Sequence, residues 1–332
     1  MTIPSPSEQS LHLQCGGLPT VFVVVLSWNQ CALTVECVLS LLEVNYPRCR
    51  IIVVDNASSD ETVETLRARF GERIDLIVNR DNLGFAAGCN VGIRRALAQE
   101  ADCVLLLNND TVVNRRFLTP MVEALDAHPD AAAIVPKIYL MSRPDVLWAA
   151  GGQIRPWRGR ATGRGLGCPD TGQYDSAGWV DYGSGCCLLM PRPAIARVGL
   201  LNESYFAYFE DVDWCLRARA SGMRVWYAPG SKIWHVAGAA SGGSAQQGLN
   251  GRTSTTHPYL AARNNLWFIR KYIGGFPLPV ALLSFGHYVV YNTLVCTRLR
   301  RWRRLACLWR GALDGALTNP GQPERIDAPA PA

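Results

Sequence analysis

Several common signatures are missing from this sequence. It has no Cys-x-x-Cys pair, no Gly-x-Gly-x-x-Gly run and no Gly-x-x-x-x-Gly-Lys-Ser/Thr loop. The first absence argues against a zinc site or thioredoxin-like centre. The second removes the dinucleotide-binding fingerprint, and the third removes P-loop phosphoryl transfer. The 12 cysteines fall singly inside apolar segments, as at Cys37, Cys103 and Cys296, apart from the adjacent Cys186 and Cys187, which read as small buried residues. Such scatter fits a reducing compartment better than a disulfide framework. The first twenty residues carry neither a basic start nor an apolar run, so no secretory signal is expected and a cytoplasmic location is. No internal repeat is visible. Acid is also missing: no Asp or Glu occurs from Trp214 to Leu313, where Arg and Lys number 14. The rest of the chain carries 19 basic against 27 acidic residues. An acidic-leaning body therefore precedes a cationic final third, which suggests an anionic partner or surface for that third.

What is present is an alternation. Short apolar runs at 21–26, 51–54, 74–78 and 103–107 are rich in β-branched residues or Leu. Between them lie helical patterns at 31–44, 60–70 and 88–99. This spacing predicts βαβ units and a parallel sheet covered on both faces. In "NASSDET", Ser58 or Ser59 is the expected helix cap, with Asp60 and Glu61 in the first turn. Beyond residue 130 the pattern predicts a strand in "AAAIVPKIYL", a long loop or irregular hairpin over 151–173, and a strand entering a helix in "SGCCLLMPRPAIARVG". A polar loop then leads into a helix ended by Gly222, followed by a strand pair in "RVWYAPGSKIWH". Residues 237–256 form a Gly/Ser-rich, flexible segment that is a candidate lid. Helical patterns fill 259–317, and a Pro-rich tail closes the chain.

Four polar clusters fall at successive strand ends: "SWN" (27–29), "DNASSD" (55–60), "NRDNLGFAAGCN" (79–90) and "NND" (108–110). Loops at the carboxyl edge of a parallel sheet converge on one crevice. Asp55 is placed to accept from a base or ribose hydroxyl. The glycines after Asn82 allow close backbone approach, and the helix start behind them suits phosphate. Singly, each cluster could be a cap or turn; four in order point to a ligand site.

The strings "VVVLSWNQ", "IIVVDNASSDET", "NLGFAAGCNVGI", "LLLNNDTVV", "SGCCLLMPR" and "YFEDVDWCLRARASGMRVWYAPGSKIWH" resemble glycosyltransferase family 2. Within it they are most similar to rhamnosyltransferase-like, non-processive bacterial members. The likeness covers about 20–240 and continues weakly through "ARNNLWFIRKY". It implies an α/β chain with a GT-A fold, Rossmann-like with a mostly parallel central sheet, and a C-terminal helical extension. It further implies an inverting transfer of a single sugar from a nucleotide-sugar donor, dTDP- or UDP-linked, with Mn²⁺ or Mg²⁺ as cofactor. Residues 1–19 are then a flexible N-terminus and 20–240 a catalytic domain, split into a nucleotide-binding half (20–115) and an acceptor-binding half (116–240). A cationic helical extension (257–318) and a disordered tail (319–332) follow.

The resemblance places Ser27 and Asn29 at the nucleotide, Asp55 at base or ribose, and Arg80, Asn82 and Gly84 around base and diphosphate. Asn108, Asn109 and Asp110 stand where the family carries Asp-x-Asp, and Glu210-Asp211 matches its Glu-Asp pair. Asp110 is then the one carboxylate ligand of the metal, with diphosphate oxygens and His235 completing the shell. His235 has the alternative of a partly buried structural histidine. An inverting transfer needs a base for the acceptor hydroxyl, assigned to Asp211 with Glu210 as the fallback. The aromatic setting "YFAYFEDVDW" favours a raised carboxyl pKa. Asp213 is expected to cap the helix or pair with Arg217. Two other readings stand beside this one: a non-catalytic nucleotide- or glycan-binding protein of the same fold, and a nucleotidyltransferase, whose usual Gly-rich, basic N-terminal loop is missing.

The run 277–296 is nearly long enough to span a bilayer, but His287 and Asn292 interrupt it. Five arginines and interleaved tryptophans follow. The expectation is helices lying on an anionic membrane surface, which places the chain peripherally at the inner face of the plasma membrane with a cell-envelope glycan or lipid-linked acceptor. The alternative is a helical pair packed on the catalytic domain. No module supports nucleic-acid binding. The processive synthases' Gln-x-x-Arg-Trp is missing, the nearest string, Arg298-Leu-Arg-Arg-Trp302, being a coincidence, so processive synthesis is not expected. Oligomeric state is left open.

Overall fold

The structure, a computed structural model, describes residues 17–237 and 256–324. The candidate lid falls almost entirely outside these residues. Four strands and three helices alternate first: β1 (Val21–Ser27), α1 (Cys31–Leu42), β2 (Cys49–Asp55), α2 (Thr62–Phe70), β3 (Asp75–Val78), α3 (Gly84–Ala98) and β4 (Cys103–Asn108). Then come β5 (Thr111–Val113), α4 (Leu118–Ala127), β6 (Ala131–Leu140), β7 (Arg143–Ala150), the hairpin β8 (Gly152–Arg155) and β9 (Arg160–Gly163), and β10 (Gly178–Val180). They are followed by β11 (Cys187–Pro191), α5 (Arg192–Val198), α6 (Glu210–Ala220) and β12 (Arg224–His235). The extension is α7 (Thr256–Tyr272), α8 (Pro277–Arg298) and α9 (Trp302–Leu317).

The main sheet runs β10-β12-β6-β11-β4-β1-β2-β3, with β5 on β12 and β7 on β6. Strands β4, β1, β2 and β3 run parallel to one another, whereas β11 enters antiparallel between β4 and β6. The β-branched runs of β1 and β2 bury nearly every side chain because helices cover both faces. Register sets the ligand edge: Ser27 pairs with Asp55 and Leu26 with Asn108, so three candidate residues leave the sheet at one level.

The glycines of α3 serve that layer. A Cβ on Gly88 would lie 2.5 Å from Leu26 Cδ1, and one on Gly92 would lie 2.3 Å from Val24 Cγ1. Their absence lets α3 settle directly on β1, at a helix-propensity cost of about 1 kcal/mol per glycine. Close approach is thus real, but to the sheet.

Three local expectations are corrected. "RVWYAPGSKIWH" is one long strand with a register break between Ala228 and Lys232, because β6 runs beside it throughout. Neither Ser58 nor Ser59 caps α2: Ser58 donates to Asp55, Ser59 donates to Asn29, and Asp60 Oδ1 instead accepts from the Thr62 amide at 3.2 Å. The tail is held against the catalytic domain as far as Glu324, which pairs with Arg94 at 2.5 Å and accepts from the Leu200 amide.

Candidate functional site

The nucleotide half presents a tied set of loops. Ser27, fully buried at the end of β1, shares a 2.9 Å hydrogen bond with Thr34 on α1. Asn29 has a left-handed backbone, and its Oδ1 accepts from the Ser59 amide at 2.8 Å, lacing the β1 and β2 loops together. Asp55 is fully buried, and its carboxylate accepts from the Ser58 amide at 2.9 Å and hydroxyl at 2.5 Å. Trp28 and Arg80 are exposed at the same rim.

The start of α3 differs from the expected phosphate cradle. Asn82 Oδ1 accepts from the Gly84 amide, and the Phe206 carbonyl accepts from the amides of Phe85 (2.6 Å) and Ala86 (3.1 Å). These N–H groups are already satisfied, so the helix terminus offers little to an anion here. Gly84 has φ +81°, and a Cβ there would strike the Phe206 ring at 2.5 Å. Asn56, which the sequence reading passed over, is the hub: its amide donates to Asn82 Oδ1 and Gly84 O, and its carbonyl accepts from Asn79 and Leu83.

A second corner forms where β5 pairs antiparallel with β12, placing His235 opposite Thr111. His235 Nε2 lies 3.0 Å from Asp110 Oδ1 and 3.4 Å from the Asn108 amide. Burial opposes charge on the His235 ring, but Cys186 and the Asp110 carboxylate outweigh it and lift the ring to about 10. Asn108 Oδ1 is buried without a hydrogen-bond partner. Carboxylate, amide oxygen and imidazole are donors that suit a divalent cation. No group of three His, Cys, Asp or Glu side chains among the described residues is placed to hold a metal ion by itself. An ion here would therefore need oxygen ligands from another molecule and would have to open the Asp110–His235 pair. Asn109 turns away, donating to Thr34 at 2.9 Å.

The third group is Glu210 and Asp211 at the start of α6. Asp211 Oδ2 accepts from the Gly185 amide at 2.9 Å and Oδ1 from the Val212 amide at 2.7 Å. Burial pushes the Asp211 carboxyl up, and these amides restrain it. Glu210 is pushed well above the usual carboxylate range by burial and by the charges of Asp211 and Asp213, and its Oε2 has no partner. Two adjacent carboxyls in unequal surroundings separate into one that holds its proton and one free to accept. Asp211, with two amides favouring its anion, is the one of the two more able to stand ionised. The loop before β11 joins this pair to the second corner: Gly185 binds Asp211, while the Cys186 carbonyl accepts from the Asn108 amide at 3.0 Å.

The segment delivering Glu210 is strained. Phe206, Tyr208 and Phe209 all have positive φ (64°, 70° and 74°) without being glycine. Helix α7 holds them: the Asn264 amide, fully buried, donates to the carbonyls of Tyr205, Ala207 and Tyr208 at 3.0, 2.8 and 2.8 Å. Arg263 donates to Ser204 and Tyr205. One turn into α6, Asp213 pairs with Arg217 at 2.8 Å as its spacing predicts, and also takes Lys271 (2.7 Å) and the Tyr272 hydroxyl (2.6 Å) from α7. Burial opposes charge on Asp213, but these partners keep its carboxyl below 3.8. The extension is thus part of the site's frame. The signal for Asn264 was a polar residue on the buried, otherwise apolar face of α7.

The model of Glycosyl transferase family 2 matches residues 22–192, half of the chain. The chain belongs to glycosyltransferase family 2. This family 2 chain is 27% identical over 175 residues to a low-salt glycan biosynthesis hexosyltransferase of Haloferax volcanii, spanning 52% of this chain and 54% of that one, so about half of that relative's length is represented here. It is 26% identical over 278 residues to an N-acetylglucosaminyl-diphospho-decaprenol L-rhamnosyltransferase of Mycobacterium tuberculosis, covering 76% of this chain and 86% of the relative. Among solved structures, a mannosyltransferase from Pyrobaculum calidifontis in complex with GDP-Man and Mn²⁺ superposes with TM-score 0.55 at 17% identity, covering 91% of this chain and 88% of that one. GalNAc-T7 with UDP, GalNAc and Mn²⁺ gives 0.54 at 16% identity, over 66% and 43%. These likenesses show the GT-A fold. The family match ends before Glu210, so the carboxylate pair is assigned by its geometry.

Proposed function

We propose that this chain is an inverting glycosyltransferase that moves one sugar from a nucleotide-sugar donor to a cell-envelope glycan or lipid-linked acceptor. The observation that carries the reading is the link from Glu210-Asp211 through Gly185-Cys186 to Asn108, Asp110 and His235. Asp211 takes the proton from the acceptor hydroxyl, whose oxygen attacks the anomeric carbon as the nucleoside diphosphate leaves from the opposite face. Glu210 keeps its proton and shields Asp211 from solvent. Ser27, Asn29, Asp55 and Arg80 border the nucleoside, with Asn82, Gly84 and Asn109 shaping its loops. Asp110 and His235, with Asn108, would hold Mn²⁺ or Mg²⁺. A bound divalent cation would supply positive charge beside the departing diphosphate.

The mycobacterial relative's name supports L-rhamnose as the first sugar to test and a lipid-diphosphate acceptor; we offer it as dTDP-L-rhamnose, with UDP-sugars second. That acceptor class and the cationic final third support work in the cytoplasm, peripherally on the inner face of the plasma membrane. The test is donor turnover and nucleotide binding across dTDP-, UDP- and GDP-sugars, with and without Mn²⁺. One donor is expected to be consumed, Asp211→Asn to lose about 10³-fold in turnover while still binding nucleotide, and Asp110→Asn to lose the response to Mn²⁺. Binding without turnover, equal in wild type and Asp211→Asn, would make the chain a binding protein and overturn the reading.

A further inference from the structure

The outer side of the extension carries an apolar surface that no described residue covers. On α8, Phe276, Val280, Leu283, Val290 and Leu294 are all exposed, with Phe276 at 89%, Leu283 at 74% and Leu294 at 65%. Their steps of three, four and seven put them in one row along the helix. His287 is the one polar member of that row. The opposite side of α8 buries Ala281, Val289 and Cys296 against the rest of the protein.

Helix α9 repeats the arrangement. Trp302, Trp309, Leu313 and Leu317 are exposed at steps of seven and four. Its inner side is pressed on α7: a Cβ on Gly311 would lie 2.2 Å from the Tyr259 carbonyl oxygen, and one on Gly315 would lie 2.9 Å from that of Arg263. The two rows adjoin, because Trp309 Nε1 donates to Thr293 of α8 at 3.1 Å. Exposed Arg298, Arg300 and Arg303 stand at the turn between the helices.

We infer that this α8–α9 face is a docking surface for an anionic lipid bilayer, with both helices lying in the plane of the headgroups. The inference deepens the peripheral placement proposed above and is independent of the donor assignment. Charge selects the occupant. A second copy would bring the same arginines to the same face and be repelled, whereas anionic headgroups attract them. Tryptophans beside arginines suit the boundary between acyl chains and water. Helix α8 is long and apolar enough to cross a bilayer by length and composition, the one such helix among the described residues. Its inner side, however, packs on the turn Pro156–Arg158, where a Cβ on Gly159 would touch Ala281 at 3.1 Å. A spanning helix would have to abandon those contacts. Docking in the plane leaves them intact.

The test is co-sedimentation of the full chain with vesicles of phosphatidylcholine alone or with 30% phosphatidylglycerol, read beside UDP titration and light-scattering mass. The wild type is expected to sediment with the anionic vesicles at least tenfold more than with neutral ones. It should lose that binding in 0.5 M NaCl, and sodium carbonate at pH 11 should release it. The double variant Leu283→Asp/Leu294→Asp and the triple variant Arg298→Gln/Arg300→Gln/Arg303→Gln should each lose at least tenfold while UDP titrates as in wild type. Equal sedimentation of these variants, equal binding to neutral vesicles, or resistance to carbonate would overturn the inference. So would a wild-type dimer that Leu283→Asp/Leu294→Asp turns into a monomer. A chain that sediments as expected but binds no nucleotide would fail the glycosyltransfer reading alone.

Discussion

Asn264→Ala separates the aim of Asp211, the proposed base, from the stability of the fold. The substitution deletes one side-chain amide that donates to the carbonyls of Tyr205, Ala207 and Tyr208. Two N–H groups serve three acceptors, so the loss is about two full hydrogen bonds at roughly 1 kcal/mol each, plus about 1 kcal/mol or more for carbonyls left dry. Against this clamp stand three non-glycine residues at positive φ, at about 1 kcal/mol each. With the clamp present the strained loop prevails. Without it, release of the strain favours the relaxed loop by about 3 kcal/mol, and on the order of one molecule in a hundred keeps Glu210 and Asp211 aimed. The expected kcat is therefore about a hundredfold down. Global stability should fall by about 1 kcal/mol only, since relaxation returns the strain energy. Steady-state turnover, urea unfolding and UDP titration on the same preparation measure the three quantities. A kcat within threefold of wild type would refute the reasoning. So would nucleotide affinity falling in parallel with kcat, because that would make Asn264 a general support of the domain.

Three further predictions concern the carboxylates of α6. The acid limb of kcat/KM should lie above the ordinary aspartate value of 3.8, because burial raises the Asp211 carboxyl; Glu210→Gln should leave that limb in place and retain most of the turnover, because Glu210 already holds its proton where Asp211 titrates. Because the native Glu210 binds its proton more tightly than the unfolded chain does, stability falls as pH rises above 4.5; Glu210→Gln should remove that part of the fall in pH-dependent urea unfolding. Asp213→Asn should cost about 3–5 kcal/mol at neutral pH, as expected for breaking a buried ion pair. Since Asp213 is held below 3.8, its contribution is present above that value and lost below it, so wild type and variant should converge as the pH is lowered.

The parallel half of the sheet was legible because β1, β2 and β4 are continuous apolar runs closed by polar residues, a pattern that only a doubly covered strand requires. Ser27, Asp55 and Asn108 were legible for the same reason: each ends such a run. The helix starts were harder. "NASSDET" offers several oxygens, and Asp55 and Asn29 claim the two serines before either can cap α2. The phosphate reading of α3 failed on a carbonyl from Phe206, over a hundred residues away, for which no local pattern exists. Asn56, Gly185 and Asn264 act through hydrogen bonds between distant loops, so composition and period are silent about them. In α7 the trace was a single asparagine in an apolar row.

The clamp on the Tyr205–Phe209 segment also sets a schedule for synthesis. A ribosome that has made the chain through residue 240 has supplied every strand of the sheet and both carboxylates of α6, yet Asn264, Lys271 and Tyr272 are still to come. Helix α7 in turn leans on α9 through Gly311 and Gly315, so its seating waits for the last helix. The growing chain can fold β1–β4 and their helices early, but the carboxylates of α6 reach their held positions only after α7 and α9 have been made. In the proposed transfer, a chain that stops before α7 would hold Asp211 without aiming it.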